Sequence, residues 1–335
     1  MNNFIKTEDL KRLENEIDYD VAFPGDSLFP NERFNSVQFA WYSIAGKDRL
    51  PLYAPVKALD TVTPLGTRPD AKRMTAEAFN VGLKMNVTET LAKLRAQGII
   101  GEEAKRFIFD DVKRVFWANR TSMEAKKMEL VANGNVTIVE NGVNMQIDYG
   151  FDNANLFVSA LDKNTDLFEL KKRVDMQAES KNKKVNALVI SPSLFRSVFM
   201  ENEKLIAMLK SQQKDYYPNT DLWKNYVKQW FDVAIVFLDK QYKYLNAKGE
   251  EVTTNYFPKD TMTFLALDPE IQSLGIGAWC PTPEEEIGLD GVEIENVRIT
   301  RWMTEDPAGE FVKGTSTQVP ILKDADDLFI VKQVA

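Results

Sequence analysis

The sequence has no histidine, and one cysteine, Cys280, in 335 residues. Histidine is the commonest general acid–base side chain and a favoured transition-metal ligand. Its absence removes Ser-His-Asp and Cys-His nucleophile systems, and with a single cysteine it removes His-containing and multi-Cys zinc sites. An internal disulfide is excluded too, so burial, within the chain or against neighbouring copies, must hold the fold. No run approaches the ~20 apolar residues of a membrane-spanning helix. The start, Met1-Asn2-Asn3-Phe4-Ile5-Lys6, lacks a basic segment leading into an apolar one and does not read as a secretory signal. There is no internal repeat and no low-complexity segment.

What is present is the balance of a folded soluble protein: 44% hydrophobic and 27% charged residues. The length suffices for two medium domains or one large one. A net charge of -8 argues against general nucleic-acid affinity, which depends on neutralising phosphates with Lys and Arg. It is compatible with a surface that lies beside DNA without gripping it.

Along the chain, Thr7 followed by Leu10, Leu13 and Ile17 predicts a short amphipathic helix, broken by Pro24-Gly25 and Pro30. Residues 37–87 read as β-structure with long excursions: Val37–Ile44, a turn at Ala45–Asp48, a returning edge strand Leu52–Val56, and an alternating strand at Val81, Leu83, Met85 and Val87. Between them, residues 60–72 have little to bury within their own subunit. Thr88 is the predicted cap of a short helix bearing Leu91 and Leu94 and ended by Gly98. The strongest helical period runs over residues 102–132, with Phe107, Ile108, Val112, Val115, Phe116 and Met123 on one face. Asn141-Gly142 between alternating runs predicts a type I′ hairpin. From 151 to 290 helical stretches alternate with apolar runs. Ala187–Ile190 and Val233–Leu238 are both expected at the centre of a sheet, Ser191-Pro192 to start a helix, and Asn246–Gly249 to turn a hairpin. Strands return at Val292–Ile294, Val297–Ile299 and Leu328–Val331.

The chemistry-bearing candidates are sparse. Glu284-Glu285-Glu286 reads as a solvated charge run before it reads as an acid–base cluster. Asp324, Asp326 and Asp327 lack the Gly and distal Glu of a calcium loop. Gly275-Ile276-Gly277 is half a phosphate-binding fingerprint with no third glycine. Lys105-Arg106 and Lys113-Arg114 are balanced by neighbouring acids and read as a salt-bridged helix face. Cys280 beside Trp279 reads as packed rather than reactive. The aromatics Phe39, Trp41, Tyr42 and Tyr53 crowd the arm that has little core of its own. Such residues serve interfaces well, combining apolar area with a polar handle.

The order of elements (N-terminal arm, extended β-arm, helix of about thirty residues, hairpin, inserted α+β domain, returning strands) resembles the Hong Kong 97 fold of tailed-bacteriophage capsids. Several stretches are similar to the family of the phage lambda major head protein. They are Val37 to Val56, Asp232-Val233-Ala234-Ile235-Val236, Phe257-Pro258-Lys259-Asp260-Thr261-Met262, Thr304 to Phe311 and Asp324 to Ala335, colinear over nearly the whole chain. The resemblance implies an α+β fold with an N-terminal arm at 1–36 and an extended loop at 37–80. It also implies a peripheral domain from 81–150 and 291–335 with a spine helix at 102–132, and an axial domain at 151–290. Trp41, Tyr42, Lys47, Arg49, Tyr53, Arg68 and Arg73 become the expected inter-subunit contacts. Lys47, Lys57 and Lys72 are available for cross-linking, but no partner is identifiable.

The implied function is that of a structural major capsid protein, not an enzyme, with no cofactor or metal. Pentamers and hexamers would form an icosahedral head in the virion, assembled in the host cytoplasm. The head would enclose double-stranded DNA without sequence-specific binding and without a membrane. The short N-terminal segment leads to the expectation of a separate scaffold protein, alongside a portal and a candidate decoration protein. Two other readings stand beside it: an encapsulin-like compartment shell, and a carboxylate-dependent enzyme for which no Glu pair can be nominated.

Overall fold

The periodic stretch that begins at Glu102 is one continuous helix of 32 residues, Glu102–Asn133, about 48 Å long at the standard rise. The structure is a computed structural model and describes residues 23–44, 71–99, 102–140, 142–211, 219–246, 249–268, 272–305 and 308–334. In chain order the elements begin with a helical turn α1 (Gly25–Leu28) and strands β1 (Asn31–Arg33), β2 (Gln38–Ile44), β3 (Ala71–Glu77) and β4 (Phe79–Asn86). Helices α2 (Val87–Ala96) and α3 (Glu102–Asn133) lead to β5 (Asn135–Glu140) and β6 (Val143–Asp148). Then come β7 (Leu156–Ser159), α4 (Leu167–Ser180), β8 (Ala187–Ile190), α5 (Pro192–Phe195), α6 (Glu203–Ser211) and α7 (Thr220–Phe231). Strands β9 (Ala234–Phe237), β10 (Gln241–Leu245), β11 (Glu251–Asn255), β12 (Thr261–Leu265) and β13 (Gly275–Cys280) follow. The turn α8 (Pro283–Glu286) precedes β14 (Val292–Ile294), β15 (Val297–Glu305), β16 (Ala308–Leu322) and β17 (Leu328–Gln333).

Two compact units share these elements. The first draws its described residues from the stretches 1–39, 76–127 and 275–321, the second from 40–75, 128–274 and 322–335.

In the first unit the sheet order is β1-β13-β16-β15-β14, with β4 also paired to β16. The long strand β16 has β13 beside it and also pairs β15 from Arg298↔Thr315 to Glu305↔Ala308 and β4 from Phe311↔Asn86 to Gln318↔Phe79. Val112, Val115, Phe116 and Met123 of α3 bury against Val292, Ile294, Val297, Ile299 and Val312. Each such side chain contributes about 1.5–3 kcal/mol when fully buried. Helix and sheet approach closely at Gly314, where a Cβ would lie 3.0 Å from the Val115 carbonyl oxygen.

The buried stripe of α3 also holds two polar residues. Asn119 donates to the Val115 carbonyl at 2.7 Å and accepts from the Ser316 hydroxyl at 3.0 Å. Lys127, with no exposed surface, donates to Asp26 at 2.6 Å and to Asn31 at 2.8 Å. Asp26 also takes Arg120 at 2.6 Å, the Gly25 N–H donates to Glu124 at 2.9 Å, and the Trp279 indole donates to Asn31 at 3.0 Å. Burial pushes the Lys127 pKa down, the adjacent Asp26 only partly opposing it. This network holds residues 24–33 across α3, so that β1 runs parallel to β13 from Asn31↔Gly277 to Arg33↔Trp279. Packing, by this network at 277 and by the neighbouring backbone at 275, accounts for Gly275-Ile276-Gly277. A Cβ on Gly277 would sit 2.7 Å from Asn31 and 2.8 Å from the Lys127 side chain, and one on Gly275 would sit 1.9 Å from the Ile321 carbonyl oxygen. The glycines make room for packing; they do not cradle a phosphate.

The second unit is built on a sheet of order β7-β17-β12-β8-β9. On one face, Leu170, Val174, Phe195, Phe199, Trp223 and Val227 form a core with Leu188, Met262, Phe264, Phe329 and Val331 of the strands. Asp166, Ser191 and Asn219 cap α4, α5 and α7 through their side chains. The other face meets the end of α3, where Thr263 donates to the Val131 carbonyl at 3.0 Å and Lys332 to Asn133 at 2.8 Å.

Several placements differ from the sequence reading. Val233–Leu238, expected centrally, supplies the edge strand β9; β8, with neighbours on both sides, is interior as expected. Strand β17, grouped by sequence with 291–335, pairs with β12 and β7 in the second unit. Strand β13, grouped with 151–290, belongs to the first unit's sheet. An apolar run reports burial and not which strands lie beside it. The cap of α2 is Asn86, whose side chain accepts from Thr88 N–H at 3.0 Å; the Thr88 hydroxyl instead accepts from Glu310 N–H at 2.6 Å.

Removing Asp26 while Lys127 remains leaves a buried charge without its counter-ion. Asp26→Ala should destabilise the chain by roughly 3–5 kcal/mol, and Lys127→Met, which removes the charge itself, by clearly less. Urea unfolding of the full chain followed by tryptophan fluorescence checks the order; equal losses would contradict it.

Candidate functional site

Strands β2 and β3 flank residues 45–70 and form a two-stranded sheet that joins no other among the described strands. Just past their ends, Ala78 N–H donates to the Val37 carbonyl at 2.8 Å. Their pattern alternates: Met74 and Ala76 are buried and Phe39 and Trp41 half-buried, while Gln38, Ala40, Arg73 and Thr75 are exposed. The ladder therefore has one face toward its own chain and one toward solvent. Phe39 meets Phe34 edge-on at 5.3 Å, and Trp41 lies 6.0 Å from Tyr149. Tyr149 is buried, and burial, with Glu129 adding to it, raises its phenol far above the ordinary value.

Of the seven candidate contact residues, Trp41 is half-buried in β2 with its ring near Tyr149, Tyr42 is the next position of the same strand, and Arg73 is exposed on β3. Lys47, Arg49, Tyr53 and Arg68 lie outside the described residues, as does Lys57. The structure thus brings Trp41, Tyr42 and Arg73 onto one small ladder.

The acidic runs are structural. Burial alone would raise Glu284, yet it is held below the ordinary carboxylate value because Lys313 and Thr315 of β16 donate to it. Glu285 takes Arg33 at 2.8 Å. The run read as solvated is in fact stitched to two strands. The three C-terminal aspartates are likewise engaged: Lys183 reaches Asp324 at 2.8 Å and Asp327 at 2.5 Å, and Lys181 reaches Asp326 at 3.3 Å and Asp152 at 2.6 Å. Sequence reasoning missed both lysines and the Asp26–Arg120–Lys127 network. A usable signal for the latter was Asn119 and Lys127 falling on the apolar stripe of the long helix.

Among the described residues no group of three His, Cys, Asp or Glu could hold a metal ion. An open cleft of 430 Å³ in the second unit is lined by Lys163, Ser193, Ser197, Glu201 and Lys259. Its hydroxyls serve the helix: Ser193 is bonded to Ser191 at 3.2 Å and Ser197 donates to the Leu194 carbonyl at 3.1 Å. Cys280 is buried, its thiol donating to the Ser36 carbonyl, and burial pushes its pKa up to about 11. A protonated, enclosed thiol is a poor nucleophile.

A family model described as phage major capsid protein E matches residues 14–333. No curated protein matches the chain by sequence. Solved structures that resemble it include a protein described as the capsid protein of an Escherichia coli CFT073 prophage, at 15% identity and TM-score 0.60, covering 98% of this chain and 99% of that one. A phage-related protein of Bordetella bronchiseptica RB50 matches at 12% identity and TM-score 0.57, covering 97% and 96%. The capsid of cyanophage A-1(L) matches at 9% identity and TM-score 0.52, covering 95% and 94%.

The electrostatics set a pH profile. Hydrogen bonds from Lys181 and Ala154 hold Asp152 below its ordinary 3.8, and Glu284 lies below its ordinary 4.5. A depressed carboxylate contributes stability that is fully present above its unfolded pKa and is lost as pH falls through its folded pKa. With no histidine, the unfolding midpoint should stay flat from about pH 8 to 5 and fall only below about pH 4. Denaturant melts across that range check this; a step near pH 6–7 would contradict it.

Proposed function

The chain belongs to the phage major capsid protein E family, and from that premise we propose how its parts divide the work of building a shell. Its fold is the Hong Kong 97 capsid type, and it is a structural shell component, not an enzyme. The family match over 14–333 carries the reading.

In this proposal the first unit serves as the peripheral domain, with residues 102–127 of α3 in its spine, and the second as the axial domain, clustering around five- and six-fold positions. Residues 37–80 form an extended loop laid across a neighbouring subunit, with Trp41, Tyr42, Lys47, Arg49, Tyr53, Arg68 and Arg73 as its contacts. Support comes from the ladder of β2 and β3, which pairs with no other described strand and turns Arg73 and Thr75 to solvent. Ordering a loop costs about 1–2 kcal/mol per residue in backbone entropy, a cost that a neighbour's surface offsets. Obligate interfaces bury roughly 2,000–5,000 Å² and resemble cut cores. Repeated by symmetry, such contacts turn modest pairwise energies into a closed object.

Pentamers and hexamers of the chain then enclose the double-stranded DNA of the virion. The net charge of -8 favours a wall that does not grip its contents. A separate scaffold protein and a portal are the expected assembly partners in the host cytoplasm, with a decoration protein as a further candidate on the finished shell.

Electron microscopy with mass spectrometry of particles from lysates containing the phage's structural proteins tests the reading: the chain should be the most abundant component of closed shells. Deleting residues 45–72 should leave a soluble, folded subunit that fails to enter closed particles. Normal particles from that deletion would overturn the role given to the loop.

A further inference from the structure

The stripe that α3 turns toward the sheet is apolar at Val112, Val115, Phe116 and Met123, but the stretch under residues 23–33 is charged. Arg120, Glu124 and Lys127 stand four and three residues apart, on one side of the helix. Glu124 and Lys127 are buried, and Arg120 nearly so. Asp26, Asn31 and the Gly25 N–H, all on the covering segment, engage them. A charge kept from water loses solvation that its partners only partly return, and burial accordingly lowers the Lys127 pKa. Uncovering this stretch gives three charges back to water, whereas uncovering Val115 or Phe116 would expose apolar surface.

The covering segment is also lightly held. Its helix α1 is a single turn with no side-chain cap, and β1 is three residues long. Strand β1 pairs in parallel with β13 and with no described strand beyond it. Phe23, Leu28 and Phe29 supply the apolar grip, and Arg33 adds ion pairs to Glu285 and Glu293. By contrast β16 is paired on both sides over residues 311–315. Segments with few buried apolar groups and short ladders open at lower free energy than the core. Beneath β1, strand β13 reads Gly275-Ile276-Gly277-Ala278-Trp279-Cys280, without a charge or a proline. The segment closes that edge: Gly277 N–H donates to the Pro30 carbonyl at 2.9 Å, and Phe34 N–H to the Trp279 carbonyl at 2.7 Å. Exposed Glu32 and Arg33 then put on the outer strand the charges that usually guard an edge.

We propose that residues 23–36 are a strap that opens from α3 and β13 as one piece while the rest of the first unit stays folded, with Asp26 on Lys127 as its latch. Shut, the strap masks an uncharged edge. Open, it leaves that edge ready to take up an extended strand through main-chain hydrogen bonds. The occupant that fits is the same strap carried by a second copy, since that sequence brings Asp26 to Lys127 and Asn31 to the Trp279 indole. Exchange of identical elements between copies needs no new complementarity. The opening belongs to the free subunit and does not depend on the shell reading.

Cys280 reports the opening, because its buried thiol donates to the Ser36 carbonyl at 3.2 Å. In the full wild-type chain, hydrogen exchange read by mass spectrometry should show residues 23–36 exchanging about a hundredfold faster than 112–123 and 311–318. Asp26→Asn should speed maleimide labelling of Cys280 by about a hundredfold and leave exchange over 112–123 unchanged. A fluorescent synthetic peptide of residues 23–36 should bind the Asp26→Asn chain about tenfold more tightly than wild type, because it supplies the acid that the variant's own strap lacks. Strap and core exchanging at one rate would overturn the separate opening. Labelling unchanged by Asp26→Asn would overturn the latch, and equal peptide affinities the masked seat. Should Asp26→Asn fail to fold, the wild-type exchange pattern decides alone.

Discussion

A lysine with no exposed surface sits in the first unit against Asp26 and Asn31, with the charge of Glu124 also favouring its ammonium. Three features follow from Lys127. The segment that enters at Pro24 is held across the long helix. Strand β1 is set beside β13 in parallel. Position 277 is glycine beside them, the lysine stem and Asn31 occupying the space a side chain would need. A buried ion pair of this kind is weak evidence for net stability, since desolvation offsets much of its attraction. Here it ties residues 26 and 31 to the long helix.

The same logic runs through the rest of the chain's polar chemistry. Carboxylates that might have looked like a site are committed to lysines and arginines: Glu284 to Lys313, Glu285 to Arg33, and Asp324, Asp326 and Asp327 to Lys181 and Lys183. The first two fasten a short helix to strands β16 and β1, and the last three fasten one loop to another distant in sequence. The one thiol is enclosed and protonated. Among the described residues these polar groups are spent on geometry.

Each unit completes a core with the residues it owns, yet neither uses up all its backbone edges and apolar side chains. The ladder of β2 and β3, the hairpins β5–β6 and β10–β11, and the β7 edge are the remainder. In a monomeric protein open edges and exposed aliphatics are guarded against, because they invite association.

The features legible in the sequence were those governed by local period and turn chemistry. The long helix ends within one residue of its expected boundary, the Asn-Gly hairpin closes between Glu140 and Val143, Ser191 caps its helix, and Gly98 takes a positive φ. All depend on neighbours a few residues away, which the sequence itself supplies. The edge position of β9, the exchange of β13 and β17 between units, the purpose of Gly275 and Gly277, and the partners of Lys127 were decided by tertiary structure alone. Each depends on which distant strand or side chain arrives alongside, and an apolar run or a lone charge reports that it needs a neighbour without saying which one.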